Sequence, residues 1–182
     1  MKKSILPHLA FAFIALLALG VSCQKIAGLL SFTVSDSSSV TIPASGPVAG
    51  AVLSLPSMSV NSTSQSTYQS NNTSAQYVQD VTLDKLTMTT TNPSTQTFDF
   101  LKSISIYIAT DATGSDKVLL ASLNPVPTGQ TSITLNPAGN TLDKYLKSSS
   151  YTLITQAEIA KGLTQSTDVR VDSRFNVHAN VP

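Results

Sequence analysis

Large apolar and polar residues alternate along much of this chain. Phe32 and Val34, Val40 and Ile42, Val81 and Leu83, Leu86 and Met88, and Ile104, Ile106 and Ile108 all recur at a spacing of two. So do Ile133 and Leu135, Tyr151 and Leu153, Val169 and Val171, and Phe175 and Val177. Successive side chains of a strand point to opposite faces, so this spacing gives each segment one buried and one wet face. Turn signals separate the segments: Asn92-Pro93, Ala112-Thr113-Gly114, Asn124-Pro125, Pro127-Thr128-Gly129 and Asn136-Pro137. No long helical pattern intervenes. The predicted class is all-β, an antiparallel β-sandwich of Ig-like or jelly-roll type with one or two short helices in crossovers.

Two short helices are predicted. In Asn140–Lys147, Leu142, Tyr145 and Leu146 share a helical face, Asn140 is placed to cap and Asp143 lies in the first turn. Thr155-Gln156-Ala157-Glu158 has the capping-box pattern, followed by Ile159-Ala160-Lys161 and a stop at Gly162. No charged side chain occurs from Ser37 to Gln79, and residues 57–76 are nearly all Ser, Thr, Asn and Gln. That tract reads as a polar loop, dispensable for the fold, in which Tyr68 and Tyr77 offer exposed rings as a contact surface. Phe98 and Phe100 alternate into a strand face and read as core.

The N-terminus has the layers of an export signal: Met1-Lys2-Lys3, an apolar stretch from Leu9 to Leu19, then Gly20-Val21-Ser22 before Cys23. A spanning helix needs about 20 consecutive apolar residues, and Pro7, His8, Ser22 and Gln24 confine the run to fewer. Cys23 is the only cysteine, so it cannot bridge within the chain, and a lone exposed thiol in an oxidising compartment is a liability. The segment resembles the lipobox of bacterial lipoproteins. Gly20 stands where that motif usually has leucine, with Leu19 one further back, which is similar to the loose lipoboxes of Bacteroidetes-type bacteria. The resemblance, which covers residues 1–23 alone, implies a signal peptide over residues 1–22 and lipid attachment at Cys23; a short tether over 23–28 then leads to the single β-sandwich domain that the alternation predicts over 29–182. Gln24–Gly28 lacks the acidic cluster that resembles a surface-export signal, which points to the outer membrane facing the periplasm.

Charge and residue inventory then exclude several chemistries. Removing Lys2 and Lys3 with the signal leaves nine basic against ten acidic side chains, no footprint for nucleic acid. The mature chain retains one histidine, His178, predicted to point outward from the last strand. No Gly-x-Ser-x-Gly elbow accompanies it, and the only Ser-x-x-Lys, Ser22 to Lys25, straddles the cleavage site. Too few His and Cys remain for a zinc site, and no Gly-rich loop with lysine cradles phosphate. Asp111–Asp116 departs from a calcium loop, with its glycine fourth rather than sixth, and reads as a hairpin turn. Asp80 with Asp84, and Asp168 with Asp172, are carboxylate pairs beside turns.

The sequence therefore predicts a lipid-anchored envelope protein with a non-catalytic binding or scaffolding role, requiring no cofactor or metal and meeting an envelope protein or a glycan. Its alternative is a carbohydrate-binding β-sandwich. A third reading, a carboxylate-dependent glycan hydrolase, needs two carboxyl groups about 5 Å or about 6.5 to 9.5 Å apart in a cleft. Sugar binding commonly employs an aromatic platform, and this chain has no tryptophan.

Overall fold

The alternating segments form strands in a computed structural model, which describes residues 29–44, 46 and 49–180, with only the backbone of Leu53. In chain order these are β1 (Leu29–Ile42), β2 (Val52–Ser54), β3 (Met58–Asn61), β4 (Val78–Asn92), β5 (Leu101–Ala109), β6 (Val118–Leu123), β7 (Ser132–Pro137), β8 (Ser150–Ile159) and β9 (Thr167–Asn180). Helix α1 (Ser64–Ser70) follows β3, and α2 (Asp143–Leu146) precedes β8. The fold is all-β and antiparallel, as the spacing predicts. Cys23 and the other N-terminal readings lie outside the described residues.

The strands run β1-β9-β4-β7-β6-β5-β8-β2, with β3 also on β8. This sheet folds into two layers. In the first, β9 pairs with β1 over all 14 residues of β1 on one side and with β4 on the other. In the second, β8 pairs with β5 and with β2 and β3. The corner is β7, which pairs with β4 through Ser132–Leu135 and with β6 through Asn136 and Pro137. At the other end β1 comes back beside β3, where Thr63 Oγ1 donates to the Ser35 carbonyl at 3.0 Å, bringing the whole close to a barrel.

The core lies between the layers. Val171, Phe175 and Val177 of β9 meet Ile104, Ile106 and Ile108 of β5 and Tyr151 and Leu153 of β8 in one apolar cluster. Tyr151 and Phe175 touch edge to face across the gap, with ring centroids 6.0 Å apart. One carboxylate is buried there: Asp36 accepts from the Thr63 amide at 2.7 Å and the Tyr151 hydroxyl at 3.1 Å, which satisfies it. Its charge and its burial together push the Tyr151 hydroxyl strongly upward in pKa, burial being the larger cause.

Several local predictions are corrected. Thr155–Lys161 is not a helix, because Leu153, Thr155, Ala157 and Ile159 all turn inward on β8, held between β5 and β2. Phe98 and Phe100 are buried as predicted, yet in a 3-10 turn (Phe98–Phe100) rather than a strand. Residues 57–76 are not a loop: they hold β3, α1 and the start of a 3-10 turn (Ala75–Tyr77). Tyr68 on α1 is fully buried, edge-on to Phe32 at 5.9 Å, and its hydroxyl donates to the Leu146 carbonyl at 2.9 Å. The tract lacks charge because it packs: Ser64 Oγ and Gln65 Nε2 donate to the carbonyls of Ser148 and Lys147. Helix α2 forms where predicted, but Asn140 donates to the Leu119 carbonyl instead of capping, and Asp143 accepts from the Val81 amide at 2.7 Å.

Candidate functional site

The outer face of the first layer carries a continuous polar surface. Because β1, β9 and β4 are in register, their outward residues line up in cross-strand rows. Ser35, Arg174 and Lys85 form one row, Ser37, Asp172 and Thr87 the next, and Ser39, Arg170 and Thr89 a third. Beyond them stand Thr41, Asp168 and Asn92 at one end, and Thr33, Asn176 and Thr82, then Ser31, His178 and Gln79, at the other. Strand β9 thus carries a ladder of alternating charge between two rows of mostly hydroxyl side chains. Strand β7 extends the hydroxyls, with Thr89 and Ser132 oxygens 3.0 Å apart.

A β-bulge sets the charge pattern. The register of β4 on β9 slips between Leu83 and Lys85, and both Asp84 and Lys85 are exposed. An extra residue at a bulge re-aims its neighbours. Here it lets Asp84 pair with Arg174 while Lys85 stands directly across from the same arginine. The sequence reading missed Lys85, Arg170 and Arg174. A signal was present: the inward phase of β4 runs Val81 and Leu83, then Leu86 and Met88, a slip of one residue at Asp84-Lys85.

The carboxylates of this face are engaged. Asp172 accepts from Ser37 Oγ at 2.8 Å and Arg170 Nε at 2.9 Å. Asp168 accepts from Thr41 Oγ1 at 2.6 Å and Asn92 Nδ2 at 3.2 Å, and those bonds, Thr41 first, hold its pKa below the usual carboxylate range. Arg170 and Arg174 each bond through Nε, and no hydrogen bond of their terminal Nη groups occurs among the described residues. Lys85 has no ionic partner there either.

Three shallow concavities lie along this face. The central one, about 390 Å³, is lined by Lys85, Arg170 and Arg174 with Asp172 and the hydroxyls of Ser35, Ser37, Thr87 and Thr89. A second, about 340 Å³, lies at Ser39, Thr41, Thr91 and Asp168, and a third, about 300 Å³, at Thr33, Thr82, Asn176 and His178. An apolar cleft of about 140 Å³ between Ile42, Leu55, Phe100 and Ile159 is smaller than the roughly 300–1,000 Å³ of typical ligand pockets.

The residues singled out from sequence do not converge. His178 faces outward as predicted but is half-buried, its Nδ1 shielded from water and without a partner among the described residues. Tyr77 is half-buried before β4, and Tyr68 belongs to the core, its hydroxyl pushed up to about 12 chiefly by burial. They form no shared exposed surface. Asp111 and Asp116 serve their own turn: Asp111 Oδ1 accepts from Thr113 N and Oγ1, and Asp116 from Thr110 and from Lys144 at 2.6 Å. Among the described residues no three His, Cys, Asp or Glu side chains are grouped to hold a metal ion.

No protein-family model matches the chain, and no curated protein matches it. Among solved structures, one from Desmodium yellow mottle tymovirus is similar at 12% identity over 85% of this chain and 91% of that chain. Its TM-score of 0.28 is too low to inform fold or function.

Proposed function

We propose that this protein is a lipid-anchored component of a bacterial cell envelope, tethered through Cys23, that binds a ligand on the outer face of β1, β9 and β4 and carries out no chemistry of its own. The observation that supports the binding reading is the alignment of three polar concavities along one face, lined by hydroxyls and by charged side chains most of which are engaged with a neighbour. Such a surface offers many donors and acceptors on a rigid sheet and no activated nucleophile. The same hydroxyl density favours a glycan over a protein, since a protein partner commonly meets a patch with an apolar centre. The anchor reading rests on the lone cysteine behind an apolar run. Two acyl chains at that residue would hold the protein firmly, at about 0.8 kcal/mol per buried methylene.

Two measurements test this. Expressed in a Gram-negative host, the full chain should incorporate labelled palmitate and partition into detergent, and Cys23→Ala should do neither; an unlabelled, detergent-independent wild type overturns the anchor. Thr87→Trp, which fills the central concavity without changing charge, should reduce binding of the full chain to envelope polysaccharide at least tenfold. Unchanged binding would remove this face from consideration.

A further inference from the structure

Among the charges that line the central concavity or pair with them, one cation has no ionic partner. Arg170 pairs with Asp172 and Arg174 with Asp84, so of three cations facing this region Lys85 is left over. Asp36 also borders the concavity but does not compensate, because its carboxylate turns inward to Thr63 and Tyr151. Lys85 and Arg174 stand opposite each other on adjacent strands, like charges of which Asp84 neutralises only the arginine. Both side chains are exposed, and no hydrogen bond of the Arg174 Nη groups occurs among the described residues.

Building on the face assigned above, we infer that this concavity binds an acidic polysaccharide, with a carboxylate or sulfate of one sugar held between Lys85 and Arg174. A guanidinium fork and an ammonium offer an anion charge-assisted hydrogen bonds, roughly twice as strong as neutral ones. The hydroxyls of Ser35, Ser37, Thr87 and Thr89 surround the pair and are suited to exchange bonds with sugar hydroxyls. None of the residues lining the concavity is aromatic. That argues against a neutral sugar, which would lack both a ring to stack on and a charge to meet, and against single-stranded nucleic acid, whose bases stack on aromatic side chains. Arg170 lies four residues along β9, about 13 Å by strand rise, so the ligand that reaches both arginines is a chain rather than a single sugar.

The test uses the full chain in detergent with three immobilised probes: polygalacturonate, dextran sulfate and uncharged dextran. Retention on one or both acidic probes and not on dextran is expected, and the tighter of the two tells carboxylate from sulfate. Lys85→Glu and Arg174→Ala should each weaken that binding at least tenfold. Lys117→Glu, on the β5–β6 turn of the other layer, should leave it within twofold. The inference is overturned if neither acidic probe binds, if dextran binds as well, if Lys117→Glu weakens binding as much as Lys85→Glu, or if a single-stranded oligonucleotide binds as tightly. Its failure is distinguishable from failure of the face assignment: dextran binding lost in Thr87→Trp but kept in Lys85→Glu would remove the acidic ligand and retain the face. Binding indifferent to Thr87→Trp would remove both.

Discussion

Tyr68 shows how a single side chain decides the fate of a whole tract. Its neighbours Gln65, Ser66, Thr67, Gln69 and Ser70 are polar, and a polar, uncharged composition ordinarily reads as loop. What composition could not convey is that Ser64, Gln65 and Tyr68 each find a backbone carbonyl across the fold, so the tract docks without needing charge. Tyr68→Ala should lower stability by about 3–5 kcal/mol, and Tyr68→Phe, which keeps the ring against Phe32 and loses one hydrogen bond, by about 1 kcal/mol, in urea unfolding of the full chain. Equal small effects would mean that α1 does not belong to the core. A second residue-scale prediction concerns Asp116. The Lys144 ammonium, then the Thr110 amide, hold its carboxyl down from 3.8 to about 2. Between those values the unfolded chain binds the proton more readily, so stability supplied by this group is present above pH 4 and is lost as pH falls toward 2. Asp116→Asn should flatten that part of the stability profile in acid unfolding; an unaltered slope would show the pairing to be without effect in solution.

Among the elements, β8 shows how local sequence misleads and β4 how it can be under-read. Thr155-Gln156-Ala157-Glu158 satisfies the spacing of a helix start, yet Glu158 reaches across the sheet to Lys102 at 2.7 Å while Ala157 and Ile159 enter the core. Tertiary pairing on both sides outweighs a capping pattern, and nothing in those four residues reports the presence of β5 and β2. Proline distinguishes the two states: at Gln156 it would be accepted in the first turn of a helix but would remove a ladder hydrogen bond from a central strand. Gln156→Pro should therefore cost at least about 1–3 kcal/mol, read by thermal unfolding, and a neutral result would restore the helix. In β4 the informative feature is a break between two alternating pairs, Val81 with Leu83 and Leu86 with Met88. The charged rows of the candidate site depend on its interruption at Asp84, which the spacing of Leu83 and Leu86 carries in plain sight.

For the molecule as a whole, the layered all-β fold was legible because period-two spacing is a geometric demand that every half-buried strand must meet. The closure of β1 onto β3, the corner at β7 and the position of β9 between β1 and β4 were not, because pairing partners lie far apart in sequence and leave no mark on either strand alone. Ile106, fully buried at the centre of the second layer, tests the shared core: Ile106→Asp should abolish the native circular dichroism signal, since an unpaired buried carboxylate costs several kcal/mol. A folded variant would show the two layers to be separable.

The central place of β9 also fixes an order of events. It is the last described strand to leave the ribosome, and both β1 and β4 hydrogen-bond to it rather than to each other. Until Thr167–Asn180 arrives the first layer has no middle, and the ring of loop closures that this demands is long and slow. Made from its N-terminus, the chain therefore holds β1 without its ladder partner until nearly all of the described strands have been synthesised.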